Sequence, residues 1–389
     1  MNFIVVSCQK EVTIVQRRLT HYRVPLFEML HKDLKERGIR LRVLHGAAHP
    51  SEASKNDTGL LDWAEFVPTR YFFGGQICWQ DFTQLTRESQ LVVVTQENKL
   101  LNNHLHLITP RRSRLAFWGH GGNLQAGNPR SFRERFKRWT TNRVDWWFAY
   151  THISAALVAE TGFPTSRITV VNNAVDTTQM RSWVQEIGEE EQRVLRHELG
   201  IETAVPVGVF VGSLYADKRL DFLFTATERI WRKIPAFHLL IIGDGPERAR
   251  MQSWCRAHSR AHWLGPRFSR EKAAYVSIAQ VMLNPGLVGL GILDSFVSEV
   301  PMITTDCRVH SPEIAYLCDG VNGLIARNDV DAYSAEVVGL LRNQAQHRLL
   351  REGCRAGAEE YTLKNMVHRF TEGITNCLEA PLYTLRKLH

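Results

Sequence analysis

Short apolar runs rich in β-branched residues recur along this chain and alternate with stretches of helical spacing. The first series is FIVVS (3–7), RLRVLH (40–45), LVVVT (91–95), RLAFW (114–118), WWFAY (146–150) and ITVVN (168–172). The second is VGVFVG (207–212), HLLIIG (238–243), VMLNP (281–285) and MITTD (302–306). Runs this apolar predict strands covered on both faces, as in parallel sheets. Between them, PLFEMLHKDLKERG (25–38) opens near Pro25 and stops at Gly38, the expected punctuation of a helix. DFLFTATERIWRKI (221–234) sets Phe222, Leu223, Ala226, Ile230 and Ile234 on one face. Alternation of this kind predicts a doubly wound α/β architecture.

The alternation falters at 177–204, which is polar and strongly charged. Such a composition shift suits a domain boundary. The expected organisation is a first sheet domain at 1–178, a second at 179–365, and a helical tail at 366–389 packing back on the first.

Three stretches of the second half place a strand end, a polar or glycine-bearing turn and a helix start in succession. In VGSLYADKRLDFLF (211–224), Asp217 is placed to cap the helix and Lys218 to stand at its mouth. In IIGDGPERARMQ (241–252), Gly243 and Gly245 would let a ligand approach the backbone, and Pro246 suits a first helical turn; a plain tight turn explains that pattern equally well. In NPGLVGLGILDSF (284–296), Gly286 and Gly289 would expose backbone N–H groups at a helix beginning near Gly291, a setting that favours phosphate. Lys218 would reach the same anion. Asp294, in that helix's first turn, would accept both hydroxyls of a ribose; a carboxylate stabilising the helix dipole is the competing explanation.

Taken in order, these pieces resemble the donor domain of retaining glycosyltransferases of family 4. NNAVD (172–176) is similar to the end of the family's first domain, VGSLYADK to its phosphate-binding loop, GDGP (243–246) to its base-contacting turn, and HSPEIAYLCDGVNGLI (310–325) to the loop and strand after the donor helix. The resemblance covers about 170–330 and implies a GT-B fold, with two facing Rossmann-like domains. Departures accompany it. Of the family's two glutamates spaced E-x7-E, Asp294 takes the second place and Gly286 the first, in a proline–glycine–x–valine–glycine–leucine variant. Ser213 stands where an arginine is usual, leaving Lys218 alone. The implied donor set is Gly121, Ser213, Lys218, Gly243, Gly245, Gly286, Val288, Gly289, Leu290, Asp294 and Glu313, with Lys218, Asp294 and His120 carrying the chemistry. A first-turn helix role is the competing account of Glu313, which follows Ser311 and Pro312.

RLAFWGHGGNLQ (114–125) ends a strand in a glycine-rich turn with one histidine. The resemblance places His120 toward the donor sugar, where a neutral imidazole would hydrogen-bond a hydroxyl or stabilise developing charge. Gly121 and Gly122 would let the domains close on the donor. Near the first strand, Arg17, Arg18, His21 and Arg23 would meet an anionic acceptor, or form a solvated basic loop.

The composition, with 44% hydrophobic and 23% charged residues, is that of a globular protein. There is no run of about 18 apolar residues, so no spanning helix is expected. MNFIVVSCQK reads as a strand rather than a signal peptide. Seven scattered cysteines without a CxxC suit a reducing cytosol, not a disulfide or zinc framework. The net charge of +8 needs a partner. Arg130, Arg133, Arg135, Lys137, Arg138 and Arg143 gather at 129–147 beside Phe132, Phe136 and Trp139 at i, i+4, i+7. That pattern suits an anionic membrane surface, or a helix packed on its own domain; no nucleic-acid signature accompanies it. NDVDAY (328–333) mimics a D-x-D metal motif but reads better as a helix start capped by Asn328 or Asp329, so no metal and no cofactor beyond the substrate are expected.

The expected protein is thus a cytosolic, peripherally membrane-associated retaining transferase of a hexose-type sugar, passing it from a nucleotide diphosphate sugar to a saccharide or lipid-linked acceptor. A nucleotide-sugar-binding or scaffold protein without turnover is the alternative outside enzymes, and a nucleotide-sugar epimerase of the same fold the alternative within them.

Overall fold

A computed structural model describes residues 9–383 apart from 56, 110, 123–135, 137 and 138. The chain divides into two compact units, one running to Asp176 and resuming at Leu363, the other spanning Thr177–Thr362.

The first unit is built on a seven-stranded parallel sheet. Its strands are β1 (Lys10–Gln16), β2 (Ile39–His45), β3 (Glu65–Phe66), β6 (Leu91–Thr95), β7 (Arg114–Gly119), β8 (Trp146–Ala149) and β9 (Ile168–Val170), in the order β3-β2-β1-β6-β7-β8-β9. A small antiparallel pair, β4 (Thr69–Phe72) with β5 (Ile77–Gln80), belongs to the same unit. The apolar pattern located most of these strands within a residue or two. The central one differs. The expected strand at 3–7 lies outside the described residues, and the strand found is KEVTIVQ. Its polar residues hid it: Thr13 is fully buried and hydrogen-bonds Ser89 at 2.7 Å, so a core position carries a hydroxyl. The helix Leu363–Glu379 closes this unit. Phe370 stacks on Phe148 at 4.4 Å and meets Trp118 edge-on at 5.1 Å, and aromatic pairs of this kind each add about 0.5–1.5 kcal/mol to area burial.

The second unit carries a six-stranded parallel sheet of β10 (Val207–Val211), β11 (His238–Ile242), β12 (Ala261–Gly265), β13 (Val281–Leu283), β14 (Met302–Thr305) and β15 (Gly323–Ala326), in the order β12-β11-β10-β13-β14-β15. The helix Leu220–Lys233 buries Leu220, Leu223, Phe224, Ala226, Thr227 and Ile230 against it, the three- and four-residue spacing expected. The half-exposed edge strand β12 escaped the sequence pattern because an edge need not be apolar on both faces. The charged stretch after Asp176 forms two helices, Thr178–Glu186 and Glu189–Glu198.

Both sheets therefore reverse direction once, at β1/β6 and at β10/β13. In open parallel sheets, ligands bind outside the carboxyl ends of the strands at such a reversal.

Candidate functional site

The reversal in the second sheet sets the loop after β10 beside the loop after β13. Gly286 joins them. A Cβ at Gly286 would lie 2.3 Å from Asp217 O and 2.8 Å from Lys218 Cα, so no larger residue fits without moving the turn. Leu287 N–H donates to Asp217 O at 2.9 Å, and Lys218 Nζ donates to Leu287 O at 2.5 Å. Lys218 is part-buried, and burial lowers its ammonium to about 8, with the neighbouring Asp217 opposing the shift. A lysine held in this way offers a charge that strengthens when an anion arrives.

Beyond Val288 the backbone opens. Nothing lies closer than 3.7 Å to a Cβ built at Gly289, and Gly291 has similar room. The helix begins at Gly291, as expected, and runs to Val297 with Asp294 in its first turn. Among the described residues, the N–H groups of Gly289, Leu290 and Gly291 donate no hydrogen bond.

Several expected roles are corrected here. Asp217 caps nothing: a one-turn 3-10 helix, Ala216–Lys218, intervenes, and Arg219 stands at the helix start in the left-handed conformation (φ 56°). The backbone of the neighbouring loop is by itself enough to require Gly286. Gly243 and Gly245 are likewise packing glycines. A Cβ at Gly243 would meet Gly212 O at 1.9 Å, and one at Gly245 would meet Leu214 N at 2.8 Å, so the packing of the neighbouring loop explains both glycines without a ligand. Pro246 lies in the turn before the helix Arg248–Ala257, not in its first turn. Val288 is fully buried, with its N–H given to His310 Nδ1 and its carbonyl taken by Ser311 N–H, so it has nothing left for a donor. Ser213 is exposed in the loop after β10, and Leu290 is half-buried.

Asp294 is not free. Lys272, on the helix Ser269–Ser277, holds both its oxygens at 2.9 and 3.0 Å. A ribose would have to share or displace that lysine. Glu313 is buried at the start of the short 3-10 turn Pro312–Tyr316, which fits the helix-start account of it. Asp329 caps the helix Val330–Arg342 by accepting from Ala332 N–H at 2.8 Å.

In the first unit His120 follows β7 directly. It is exposed, and its ring packs on Tyr150 at 4.6 Å. Gly121 and Gly122 are packing residues. At φ 71° a Cβ on Gly121 would strike Ser154 O at 2.4 Å, and one on Gly122 would strike Leu157 Cδ1 at 2.7 Å. The helix His152–Ala159 therefore accounts for both, and domain closure is not needed to explain them. Arg17 is spent on Glu52 in a bidentate pair at 2.6 and 2.9 Å, and Arg18 on Asp57. Hydrogen bonds from Arg17 hold the Glu52 carboxyl down at about 2. Arg23 is buried, donates to Asn173 Oδ1 at 2.7 Å and lies 4.9 Å over the Trp118 ring. None of the three is a solvated loop cation. Arg130, Phe132, Arg133, Arg135, Lys137 and Arg138 fall outside the described residues. Phe136 meets His104 at 5.3 Å, and Trp139 is half-exposed under Arg143 at 4.0 Å.

Sequence reading missed Lys272, Arg219 and His310. Arg219 binds Pro285 O and Thr305 Oγ1, both at 3.1 Å. No local pattern marks a side chain whose partners lie on a loop or helix distant in the sequence.

Residues 205–343 match the model of the family described as Glycosyl transferases group 1. The chain is 27% identical over 216 residues to D-inositol 3-phosphate glycosyltransferase of Nocardia farcinica, covering 52% of this chain and 45% of that protein. It is 24% identical over 171 residues to alpha-monoglucosyldiacylglycerol synthase of Acholeplasma laidlawii, covering 40% of this chain and 42% of that protein. The chain thus spans less than half the length of these relatives. Among solved structures, Anabaena Alr3699/HepE in complex with UDP superposes with a TM-score of 0.67 at 13% identity, over 94% of this chain and 99% of that one. The fold is therefore GT-B, and residues 205–343 of the second unit are similar to the group 1 glycosyltransferase family.

Proposed function

We propose that the chain is a retaining glycosyltransferase that moves a hexose-type sugar from a nucleotide diphosphate sugar to a saccharide or lipid-linked saccharide, without a metal. One observation carries this: at the β10/β13 reversal a half-buried Lys218 adjoins a turn whose Gly289–Gly291 N–H groups are unspent. Lys218 and those groups meet the diphosphate, where fixed dipoles and one cation stabilise the departing charge. Asp294 receives the ribose after exchanging Lys272 for its hydroxyls. His120 serves the sugar side. Solved relatives in complex with UDP and UDP-glucose support a nucleotide donor.

The acceptor is held at an anionic membrane. Leu101, Leu105 and Ile108 form an exposed stripe at i, i+4, i+7 on the helix Leu101–Ile108. His104 of that helix touches Phe136, next to the basic stretch. No described helix is long and apolar enough to cross a membrane, so attachment is peripheral and supported by both charge and apolar contact.

The test is a screen of nucleotide sugars for hydrolysis and transfer, with EDTA, and with anionic or neutral vesicles. Turnover should survive EDTA, and His120→Ala should lower it far more than it lowers nucleoside diphosphate affinity. Loss of turnover in EDTA with rescue by manganese, or binding without turnover of any donor, overturns the reading; the second result would favour a binding protein.

A further inference from the structure

We infer that His310 is the positioning residue of the donor turn, a fixed neutral imidazole that clamps Val288 and so aims the N–H groups that follow it; this rests on the reading of that turn as the diphosphate site. The imidazole is buried between two backbone groups. Val288 N–H donates to Nδ1 at 3.2 Å, and Nε2 faces Thr305 O at 2.7 Å. An amide N–H only donates and a carbonyl only accepts. Nδ1 must therefore carry the lone pair and Nε2 the proton. Cys307 Sγ, 3.5 Å from Nε2, is a second acceptor for the same proton. Burial works against ionisation of that thiol, but hydrogen bonding, from His310 above all, outweighs it and brings it down to about 6.

The clamp has two points. His310 holds the Val288 N–H, and Ser311 N–H holds the Val288 carbonyl at 3.0 Å. On the other flank Asp217 and Lys218 hold Leu287. Beneath, Thr305 Oγ1 donates to Pro285 O at 2.9 Å. Residues 285–288 are thus tied on three sides, and the chain is released at Gly289, whose Cβ site is open. A glycine-bearing turn has many conformations of its own. Without an acceptor at Nδ1, the Val288 N–H would be buried unpaired, and the turn would move to satisfy it.

The two amide substitutions separate this from simple packing. In His310→Asn the side-chain oxygen stands near the place of Nδ1 and accepts from Val288. In His310→Gln the amide reaches Thr305 O, but nothing accepts from Val288. Hydrogen exchange of Val288–Gly291 in the ligand-free protein, and calorimetric binding of UDP, ADP and GDP, are read for both. The Asn variant should keep slow Val288 exchange and a Kd within about twofold of wild type. The Gln variant, checked for cooperative unfolding, should exchange faster at Val288 and bind about five- to tenfold more weakly. Wild-type exchange and affinity in the Gln variant, or equal losses in both variants, would overturn the assignment. If wild type binds none of the three nucleotides, the donor reading fails, and the exchange pattern alone decides whether His310 holds the turn.

Discussion

The two sheets reverse strand order in the same way, and the loops leaving those reversals differ in how far ion pairs hold them. After β10, β11 and β13, backbone packs on backbone: Gly243 on Gly212, Gly245 on Leu214, Gly286 on Asp217 and Lys218. After β1, side-chain pairs are added to the backbone contacts, with Arg17 on Glu52, Arg18 on Asp57 and Arg23 on Asn173 and Trp118. Backbone packing leaves the Gly289–Gly291 N–H groups unspent beside one lysine, the arrangement on which the proposed anion site rests. Side-chain pairing consumes the cations that looked available. A basic loop in a sequence is therefore a weak sign of an anion site, because nearby acids can neutralise it.

The largest effect expected from breaking this contrast is at the packing glycines. Gly243→Ala puts a methyl 1.9 Å from Gly212 O at φ 153°, a clash plus backbone strain worth about 2–4 kcal/mol. Gly289→Ala meets only ordinary contacts at 3.7 Å and should cost no more than about 0.5–1 kcal/mol in urea unfolding. Equal destabilisation would mean that the two turns are not held as described.

Next is Lys218. Lys218→Met should weaken nucleoside diphosphate binding about ten- to a hundredfold, the loss of a charge-assisted hydrogen bond. The pH behaviour sharpens it. The folded ammonium, at about 8, sits below its unfolded value of 10.5. Between these values the folded protein has shed a proton that the unfolded chain keeps, so this group adds stability as pH rises through the window. A bound diphosphate favours the charged form again, so binding should take up a proton at pH 8.5. Calorimetry in two buffers of different ionisation enthalpy reads that uptake, which Lys218→Met should abolish. Undiminished uptake in the variant would assign the proton to another group.

The smallest effect concerns the first unit. The Glu52 carboxyl lies at about 2, below its ordinary 4.5. The Arg17 pair therefore contributes stability that is fully present above about 4.5 and lost as pH falls toward 2. After solvent screening, Glu52→Gln should cost about 1 kcal/mol at neutral pH, flatten that acid limb, and leave nucleotide affinity unchanged. A fall in nucleotide affinity would join this loop to the donor site.

What the sequence determined by itself was local. Apolar runs located nearly all the interior strands, and the order of glycine turns and Lys218 pointed to the β10/β13 reversal, because burial on both faces and helix punctuation are written in neighbouring residues. The strand Lys10–Gln16 was hidden because Thr13 finds its partner 76 residues away in Ser89. The same reason governs the site. Whether Gly243 admits a ligand or a neighbouring loop, whether Arg17 is free or paired, and whether Asp294 waits for a ribose or already holds Lys272 depend on atoms that only the tertiary fold brings within a few ångströms. Steric exclusion and ion pairing act over contact distances, and contact across a parallel sheet is between residues that the sequence keeps far apart.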